Sequence, residues 1–518
     1  MADVITEATS DRSANASERL HDASSVINEW EATTEKERLV ESIQVVTEEE
    51  NPRLLSSFVR MESSLSDQKP WRMQWKDHPI VTSLIVSMPW VGLTMLNSTV
   101  FELLTSFMTS IGVARFIPRY LPPLYTFFVA PFIGGHSDRS YSKLGRRNKF
   151  LVVATFIVVV TVLIFGHSQS LFGDHLFFHV VNVVFLVHGG VTIEIMLRAR
   201  LFDEIPRGYQ VHAQACGSIW HSAGVAMSMV LLGGGTEVVY GNEINQKNLF
   251  QTCCIVAAVL VFTVAIPLYL RPEQPQNDAT KRITTVGHTY SEISDTVISA
   301  PYELRVLCCL QLFLWMAWSA FDNQKFKWWG SNVYEGCPSL SNDTISPCSE
   351  KDVKKYVEGV KLAKYAVQGI SAAELIATLS FMVLTPPNPT NTRLHKITYI
   401  FMAFGVIMFC IAVIIGSASH PLSFISFVCI GTFYSAIYIF PYAVTGVITK
   451  TLSDVRRKFN NNGVYAALLI QFINAGQFVV EEYNSPSLSS MGSSNTMALP
   501  VVLFILSFIF TYYFKFQL

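Results

Sequence analysis

The sequence predicts an all-α membrane protein with twelve transmembrane helices arranged as two halves of six. Of its 518 residues, 50% are hydrophobic and only 15% are charged, whereas soluble domains average about 25% charged residues. About twelve apolar runs are long enough for the roughly 20 residues that a helix needs to cross a bilayer. A hydrophilic segment, residues 271–300, separates these runs into two sets of six.

The segment before the first apolar run, residues 1–77, has a different composition. It carries 16 acidic and 9 basic residues and is rich in Ser, Glu and Thr. Such a segment buries too little apolar surface to fold alone, so we expect a disordered acidic tail. The segment shows no basic region followed by an apolar core, so we expect no cleaved signal peptide. The tail contains the stretch ENPRLL, in which Glu50, Leu54 and Leu55 resemble an acidic dileucine signal for a sorting adaptor.

The apolar runs follow the tail in a regular order. The first half is predicted at 78–270, the cytoplasmic linker at 271–300 and the second half at 301–518. The spans themselves are predicted near 79–110, 117–136, 149–167, 175–198, 211–234, 249–270, 302–322, 359–384, 394–416, 421–447, 464–483 and 497–515.

Lys and Arg are unevenly distributed among the short connections between the spans. The connections after spans 2, 4, 6, 8 and 10 carry most of them, and the connections after spans 1, 3 and 5 carry few. The connection after span 7 is an exception because it holds several lysines. The positive-inside bias therefore predicts that the even-numbered connections and both termini lie in the cytoplasm.

The most basic connection contains the stretch GGHSDRSYSKLGRR, residues 134–147. It resembles the loop between helices 2 and 3 of the major facilitator superfamily, and SDRSYSKLGRR resembles its form in the sucrose/proton symporter branch. Three more stretches resemble that branch: MLRARLFDE at the end of helix 4, WMAWSAFDNQKFKWWGSNVYEG in helix 7 and GVYAALLIQFINAGQFVV in helix 11. The resemblance covers residues 78–518. It implies the twelve-helix major facilitator fold and proton-coupled symport of a disaccharide, such as sucrose or a maltose-like glucoside, by alternating access.

The same stretch predicts a conformational latch on the cytoplasmic face. Glycines let helices 2 and 3 turn tightly and approach each other. Asp138 could cap a neighbouring helix N-terminus or pair with an arginine, which would close this face in one conformation. The alternative is that these charges only set the topology. The predicted latch residues are Gly134, Asp138, Arg139, Gly145, Arg146 and Arg147.

Ionisable side chains within the spans are costly in a bilayer and are therefore candidate functional groups. Glu194 and Arg198 lie four residues apart, on one face of span 4, where they could neutralise each other. The resemblance implies that Arg198 acts in sugar binding or coupling, and the alternative is a structural ion pair. Plant members of the branch carry a helix 4 aspartate where this chain has Val187, so Glu194 or His188 could serve as the proton carrier instead.

Further candidates lie in spans 1, 7 and 8. Glu102 is the only acid of the first apolar run, and the resemblance implies a proton site there unless helix 1 ends early. Asp322 ends span 7 and matches an aspartate of the branch that could accept hydrogen bonds from sugar hydroxyls. Trp318 offers an aromatic face to a pyranose ring, or else belongs to the interfacial belt. Glu374 is a buried candidate in span 8.

Two other predictions concern aromatic and imidazole side chains. We expect Trp328 and Trp329 to lie in the interfacial belt. His221 in span 5 is expected to be a core histidine with satisfied hydrogen bonds rather than a functional group.

Seven of the nine cysteines fall in apolar spans and are expected to be packing residues. Cys337 and Cys348 flank a hydrophilic loop predicted to lie outside, so we expect a disulfide between them. Asn342, between them, begins an N-glycosylation pattern. Both features predict a glycoprotein of the eukaryotic secretory route.

Several motifs are absent. The sequence shows no phosphate-binding loop, nucleophile elbow, zinc motif or nucleic-acid patch, so we expect no enzyme, cofactor or metal. The expected partners are a sugar, a proton and the lipid bilayer, in the plasma membrane or alternatively in a vacuolar or lysosomal membrane. Two alternatives stay open: a proton-linked carrier of a monosaccharide or other solute on an internal membrane, and a non-transporting sugar sensor.

Overall fold

Helices occupy all twelve predicted spans in the computed structural model. It describes residues 78–101, 103–104, 107–108, 116–140, 142–173, 175–233, 239–240, 243–244, 246–273, 286–337, 349–456, 461–483 and 496–513. The acidic tail with Glu50, Leu54 and Leu55 lies outside the described residues. Glu102, Asn342 and Cys348 also lie outside them.

The described ranges contain one helix for each predicted span. The first half consists of α1 (Pro79–Phe101), α2 (Phe116–Asp138), α3 (Arg146–Gly166), α4 (Leu176–Glu204), α5 (Gln210–Gly233) and α6 (Gln246–Leu270). The second half consists of α7 (Tyr302–Trp328), α8 (Glu350–Leu384), α9 (Asn391–Ile415), α10 (Gly431–Arg456), α11 (Asn462–Tyr483) and α12 (Ala498–Tyr513).

Shorter elements connect these helices. The first turns of α1 (Pro79–Val86 and Trp90–Met95) are followed by a π-helical turn, Leu96–Phe101, and α7 is extended by another, Trp329–Val333. Strands Val239–Tyr240 (β1) and Glu243–Ile244 (β2) pair antiparallel between α5 and α6. The remaining short helices are Ser168–Phe172, Arg207–Tyr209, Val286–Ile298, Gly416–Ala418 and His420–Val428. The predicted linker 271–300 therefore contains a helix of its own.

The surface of the helices is suited to lipid. Large apolar side chains are exposed on α3, α6, α8 and α9, for example Phe156, Phe262, Val383 and Ile414. Soluble monomers rarely expose apolar patches larger than a few hundred Å². Among the described residues, ten helical segments are also long and apolar enough to cross a membrane; α2, which has three internal prolines, and α12, with 16 residues, are not among them.

Two expectations about α7 are wrong. The helix does not end at Asp322 but continues to Trp328, so Asp322 lies one and a half turns inside it. Trp328 and Trp329 do not form an interfacial belt, because both side chains are buried and Trp328 stacks on Phe427 with ring centroids 5.3 Å apart. The π-helical turn after α7 turns these indoles inward, against the short helix that precedes α10.

Cys337 is disulfide-bonded. Its predicted partner, Cys348, lies outside the described residues, so their pairing stays a prediction. The seven cysteines of the apolar spans are free thiols, as expected of packing residues.

Candidate functional site

A cavity of about 430 Å³ lies between the two halves. Its volume falls within the range of about 300–1,000 Å³ that is typical of ligand pockets. Five of the seven residues predicted for binding and coupling line it: Glu194, Arg198, Trp318, Asp322 and Glu374. The fold thus brings together candidates from α4, α7 and α8.

The other two predicted residues are not part of this lining. His188 lies on α4, where its Nδ1 atom is 3.0 Å from the hydroxyl of Tyr125 on α2, and it does not reach the cavity. This contact stays within the first half of the molecule. Glu102 lies outside the described residues, so its role stays a prediction.

The guanidinium of Arg198 is buried in an aromatic cage. It lies 3.6 Å from the ring centroid of Tyr442, 4.2 Å from that of Tyr438 and 4.6 Å from that of Trp90. Each cation–π contact of this kind contributes about 0.5–2 kcal/mol. The cage joins α4 to α1 and to α10, and therefore joins the two halves.

Arg198 is not neutralised by Glu194 as the sequence suggested. Its Nη1 atom donates a hydrogen bond to Oε1 of Gln214 on α5, and within the described residues no ion pair joins it to Glu194. Both side chains nevertheless line the same cavity.

The tyrosines of α10 are functional candidates that the sequence analysis did not identify. Tyr434, Tyr438 and Tyr442 recur every four residues and therefore share one helix face. All three line the cavity. The spacing in YSAIYIFPY was a visible signal, but it does not show that the stripe faces a polar cavity rather than an apolar core.

The carboxylate of Glu374 forms the centre of a buried hydrogen-bond network. Its Oε1 atom accepts a bond of 2.9 Å from Ser218 Oγ and lies 3.1 Å from His221 Nδ1, both on α5. His221 Nε2 is 3.1 Å from the hydroxyl of Tyr434. His221 does have satisfied hydrogen bonds, as expected, but its partner is an acid of the other half.

The opposite wall of the cavity carries an ion pair on α7. Lys325 Nζ donates to Oδ1 of Asp322, one turn earlier on the same helix, and both residues line the cavity. Trp318 packs against Tyr434 with ring centroids 4.3 Å apart. Asp322 and Trp318 are therefore placed to contact a bound molecule.

The predicted latch residues lie at one end of the bundle, which we call the basic end. Asp138 accepts hydrogen bonds from the backbone N–H groups of Gly463, at 3.0 Å, and Val464, at 2.9 Å, in the first turn of α11. It also accepts a bond from Arg147 Nη2. Capping of a helix and pairing with an arginine, which the sequence allowed for Asp138, thus occur together.

Asp203, at the end of α4, is a member of this cluster that the sequence analysis missed. Its carboxylate accepts from Arg146 Nη2 at 2.7 Å, from Arg147 Nε at 2.9 Å and from Asn462 Nδ2 at 2.7 Å. Lys450 Nζ donates to its carbonyl oxygen at 2.8 Å. These contacts tie α3 and α4 to α10 and α11. The predicted latch residue Arg139, which follows α2, donates to the carbonyl of Gly135 in the last turn of that helix, at 3.0 Å.

Glycines of the latch stretch allow close backbone approach. A methyl group on Gly134 would overlap the backbone of Gly463 on α11. Gly145 has φ +92° at the N-cap of α3, and a side chain there would collide with Glu273. Glu273 accepts from the N–H groups of Arg147 and Asn148 at 2.8 and 3.1 Å, so it caps α3 itself.

Replacing Gly463 by alanine is expected to destabilise the crossing of α2 and α11. The added Cβ would lie 2.6 Å from the carbonyl oxygen of Gly134, 2.7 Å from Arg147 Nη1 and 2.9 Å from Asp138 Oδ1. Overpacking of this kind typically costs about 1–3 kcal/mol. We expect a lower thermal unfolding midpoint of the purified protein.

Gly217→Ala is the matched control, because a Cβ there lies 3.5 Å from its nearest neighbour. An unchanged midpoint in Gly463→Ala would contradict the close packing at this crossing.

At the other end of the bundle, α2 and α11 meet again through an ion pair. Arg119 Nε lies 3.3 Å from Glu481 Oε2, and Asn323 Nδ2 donates to Glu481 Oε1 at 2.8 Å. The same two helices are therefore bound by charged groups at both ends.

Solved structures with this arrangement of helices are membrane transporters. The chain aligns with the fucose:proton symporter of E. coli at a TM-score of 0.55 and 12% identity, over 85% of this chain and 99% of that one. A second structure, described as a major facilitator superfamily transporter in the outward conformation, gives a TM-score of 0.56 at 13% identity, over 84% and 99% of the two chains. The chain has the major facilitator fold. The predicted fold class, all-α with twelve transmembrane helices, is confirmed, and the protein is a multi-pass membrane protein.

Sequence relatives agree with the branch that the motifs indicated. The chain is 22% identical over 250 residues to a sucrose transport protein of Oryza sativa, which covers 42% of this chain and 45% of the relative. It is 22% identical over 268 residues to a sucrose transport protein of Arabidopsis thaliana, and the match covers 46% of this chain and 52% of the relative. It is 23% identical over 289 residues to the general alpha-glucoside permease of Schizosaccharomyces pombe, covering 52% and 51%.

These matches confirm the resemblance and also limit it. The chain spans about half the length of the curated relatives it matches. No family model matches the chain. The relatives are named as transport proteins and a permease, which agrees with the prediction that the protein is not an enzyme.

Proposed function

We propose that the protein is a proton-coupled symporter of a disaccharide, sucrose or a maltose-like glucoside, that works by alternating access. The observation that carries the proposal is the chemistry of the cavity, in which aromatic rings and hydrogen-bonding side chains face the same space. The names of the relatives support the substrate class.

A sugar presents two kinds of surface, and the cavity has groups for both. The C–H face of a pyranose ring is apolar and suits the rings of Trp315, Trp318 and Tyr434. Sugar hydroxyls require donors and acceptors, which Asn97 and Gln477 supply from α1 and α11. The guanidinium of Arg198 adds a fixed set of donors.

Transport requires that the cavity open to one side of the membrane at a time. The basic end is closed by the hydrogen bonds from the first turn of α11 to Asp138 and by the contacts of Asp203. The positive-inside bias supports a cytoplasmic position for this end and for both termini. We therefore interpret the conformation as closed to the cytoplasm, and the predicted latch as the contact that must break for release.

The membrane in which the protein works is proposed from the sequence alone. We place it in the plasma membrane, with uptake into the cytoplasm. The dileucine-like stretch at Glu50, Leu54 and Leu55 instead favours the alternative, a carrier of another solute on a vacuolar or lysosomal membrane.

Uptake into a yeast strain that lacks its own sugar carriers tests the function. We expect accumulation of labelled sucrose or maltose that is several-fold faster at pH 5 than at pH 7.5 and is abolished by an uncoupler. Labelled glucose serves as the competing monosaccharide.

Cells with the empty vector and measurement of protein at the cell surface are the controls. Uptake that is independent of pH and of the uncoupler would contradict proton coupling. Surface protein without uptake of any of these sugars would contradict the substrate class and favour another solute or a sensor.

A further inference from the structure

We propose that Glu374 is the proton-binding group and that its pairing with His221 couples protonation to the contact between the two halves. This inference rests on the proposed symport function and assigns its proton to one carboxylate. It follows from the position of the Glu374 network and from the direction of its hydrogen bonds.

Glu374 stands at the contact between the halves. It is 2% exposed overall, yet it borders the cavity. Ser218 and His221 reach it from α5, which packs along α8 in the middle of the molecule. A change in the charge of Glu374 therefore acts directly on a contact that must alter when the halves move.

The hydrogen bonds around Glu374 all point towards its carboxylate, which accepts them. Ser218 donates its only hydroxyl hydrogen to the carboxylate, so in its contact with Thr378, at 2.9 Å, Thr378 must be the donor. Thr378 has then used its own hydrogen, so Ser435 must donate in the next contact, also 2.9 Å long. This chain of hydroxyls from α10 through α8 to α5 ends on the carboxylate of Glu374.

His221 completes the acceptor from the other side. In the tautomer that directs Nδ1–H at Glu374, the ring accepts the hydroxyl hydrogen of Tyr434 at Nε2. A proton added to Glu374 gives it a hydrogen that must itself be donated, to Ser218 or to His221. Either choice reverses a donor in the network and replaces charge-assisted bonds between α5 and α8 with weaker neutral ones.

Other ionisable groups face the same space and set its balance of charge. These groups are His221 on α5, Glu194 and Arg198 on α4, Asp322 and Lys325 on α7, and Tyr434 and Tyr438 on α10. Arg198 is held by its aromatic cage and Asp322 by Lys325. Glu374 differs from the other acids because its partners lie across the contact between the halves.

The test compares Glu374→Gln, which is neutral at every pH, with Glu358→Gln, an exposed site on the same helix. Intrinsic tryptophan fluorescence of the purified full-length protein is titrated between pH 5 and pH 8, because Trp318 packs on Tyr434 of the network. We expect a transition in the wild type and in Glu358→Gln and its loss in Glu374→Gln. A transition that persists in Glu374→Gln, or is absent from the wild type, overturns the inference.

Sugar flux provides a second measurement. In Glu374→Gln we expect acid-driven accumulation of labelled sugar to fall at least tenfold. His221→Gln is expected to shift the pH dependence of accumulation rather than abolish it. Full acid-driven accumulation in Glu374→Gln overturns the inference and leaves the proposed function intact. Failure of the wild type to take up sugar contradicts the proposed function, and the fluorescence titration then decides the proton site by itself.

Discussion

Asp138→Asn is expected to destabilise the protein by about 1–3 kcal/mol, the cost of leaving buried donors without an acceptor, because Arg147 keeps its second carboxylate partner, Asp203. The side chains of Asp138 and Arg147 are 2% and 0% exposed, so water cannot replace the lost charge. Arg147 and the backbone N–H groups of Gly463 and Val464 all donate to the carboxylate of Asp138. An asparagine would place its NH₂ group, itself a donor, against some of these donors. We expect a lower thermal unfolding midpoint in detergent and reduced uptake per molecule at the cell surface.

Asp295→Asn is the matched control for this prediction. Asp295 is exposed on the helix Val286–Ile298 of the predicted linker, and its replacement removes an acid without taking an acceptor from buried donors. An Asp138→Asn protein that unfolds at the wild-type temperature would contradict the capping and pairing derived from the structure.

The contact between Asp138 and Arg147 was predictable because the latch residues are close in sequence. The glycines, Asp138 and the two arginines lie within fourteen residues, and a turn between adjacent helices brings them together whatever the rest of the fold does. The helices were predictable for a similar reason, since apolar length is a local property. Asp203, 65 residues beyond Asp138, entered the cluster only when α4 was placed beside it.

The centre of the cavity was less predictable, because its contacts join distant segments. Glu374 and His221 are 153 residues apart, and each alone reads as a buried polar residue. For Glu194 and Arg198, helical spacing predicted a contact that the structure does not contain. Aromatic rings from α1 and α10 pack against the guanidinium of Arg198 instead. Spacing within one helix indicates which side chains share a face, but it does not show what a neighbouring helix presents to that face.

Arg198→Lys is expected to lower uptake at least about tenfold, although it conserves the charge. A guanidinium is planar and can lie against the faces of Tyr442 and Tyr438 while it donates to Gln214, whereas an ammonium is a point charge that cannot do both. Each lost cation–π contact is worth about 0.5–2 kcal/mol, so the loss of one to three contacts reaches the 1.4 kcal/mol of a tenfold change. Labelled-sugar uptake over a range of concentrations gives the maximal rate and the half-saturating concentration.

Arg207→Lys is the control, because Arg207 is exposed on the short turn before α5 and touches neither the cage nor the cavity. Because the cage joins α4 to α1 and α10, its loss is expected to affect both binding and the movement of the halves. The half-saturating concentration should therefore rise and the maximal rate should fall. Wild-type values for both in Arg198→Lys would show that positive charge alone is required at this position, and that the aromatic cage has no part in transport.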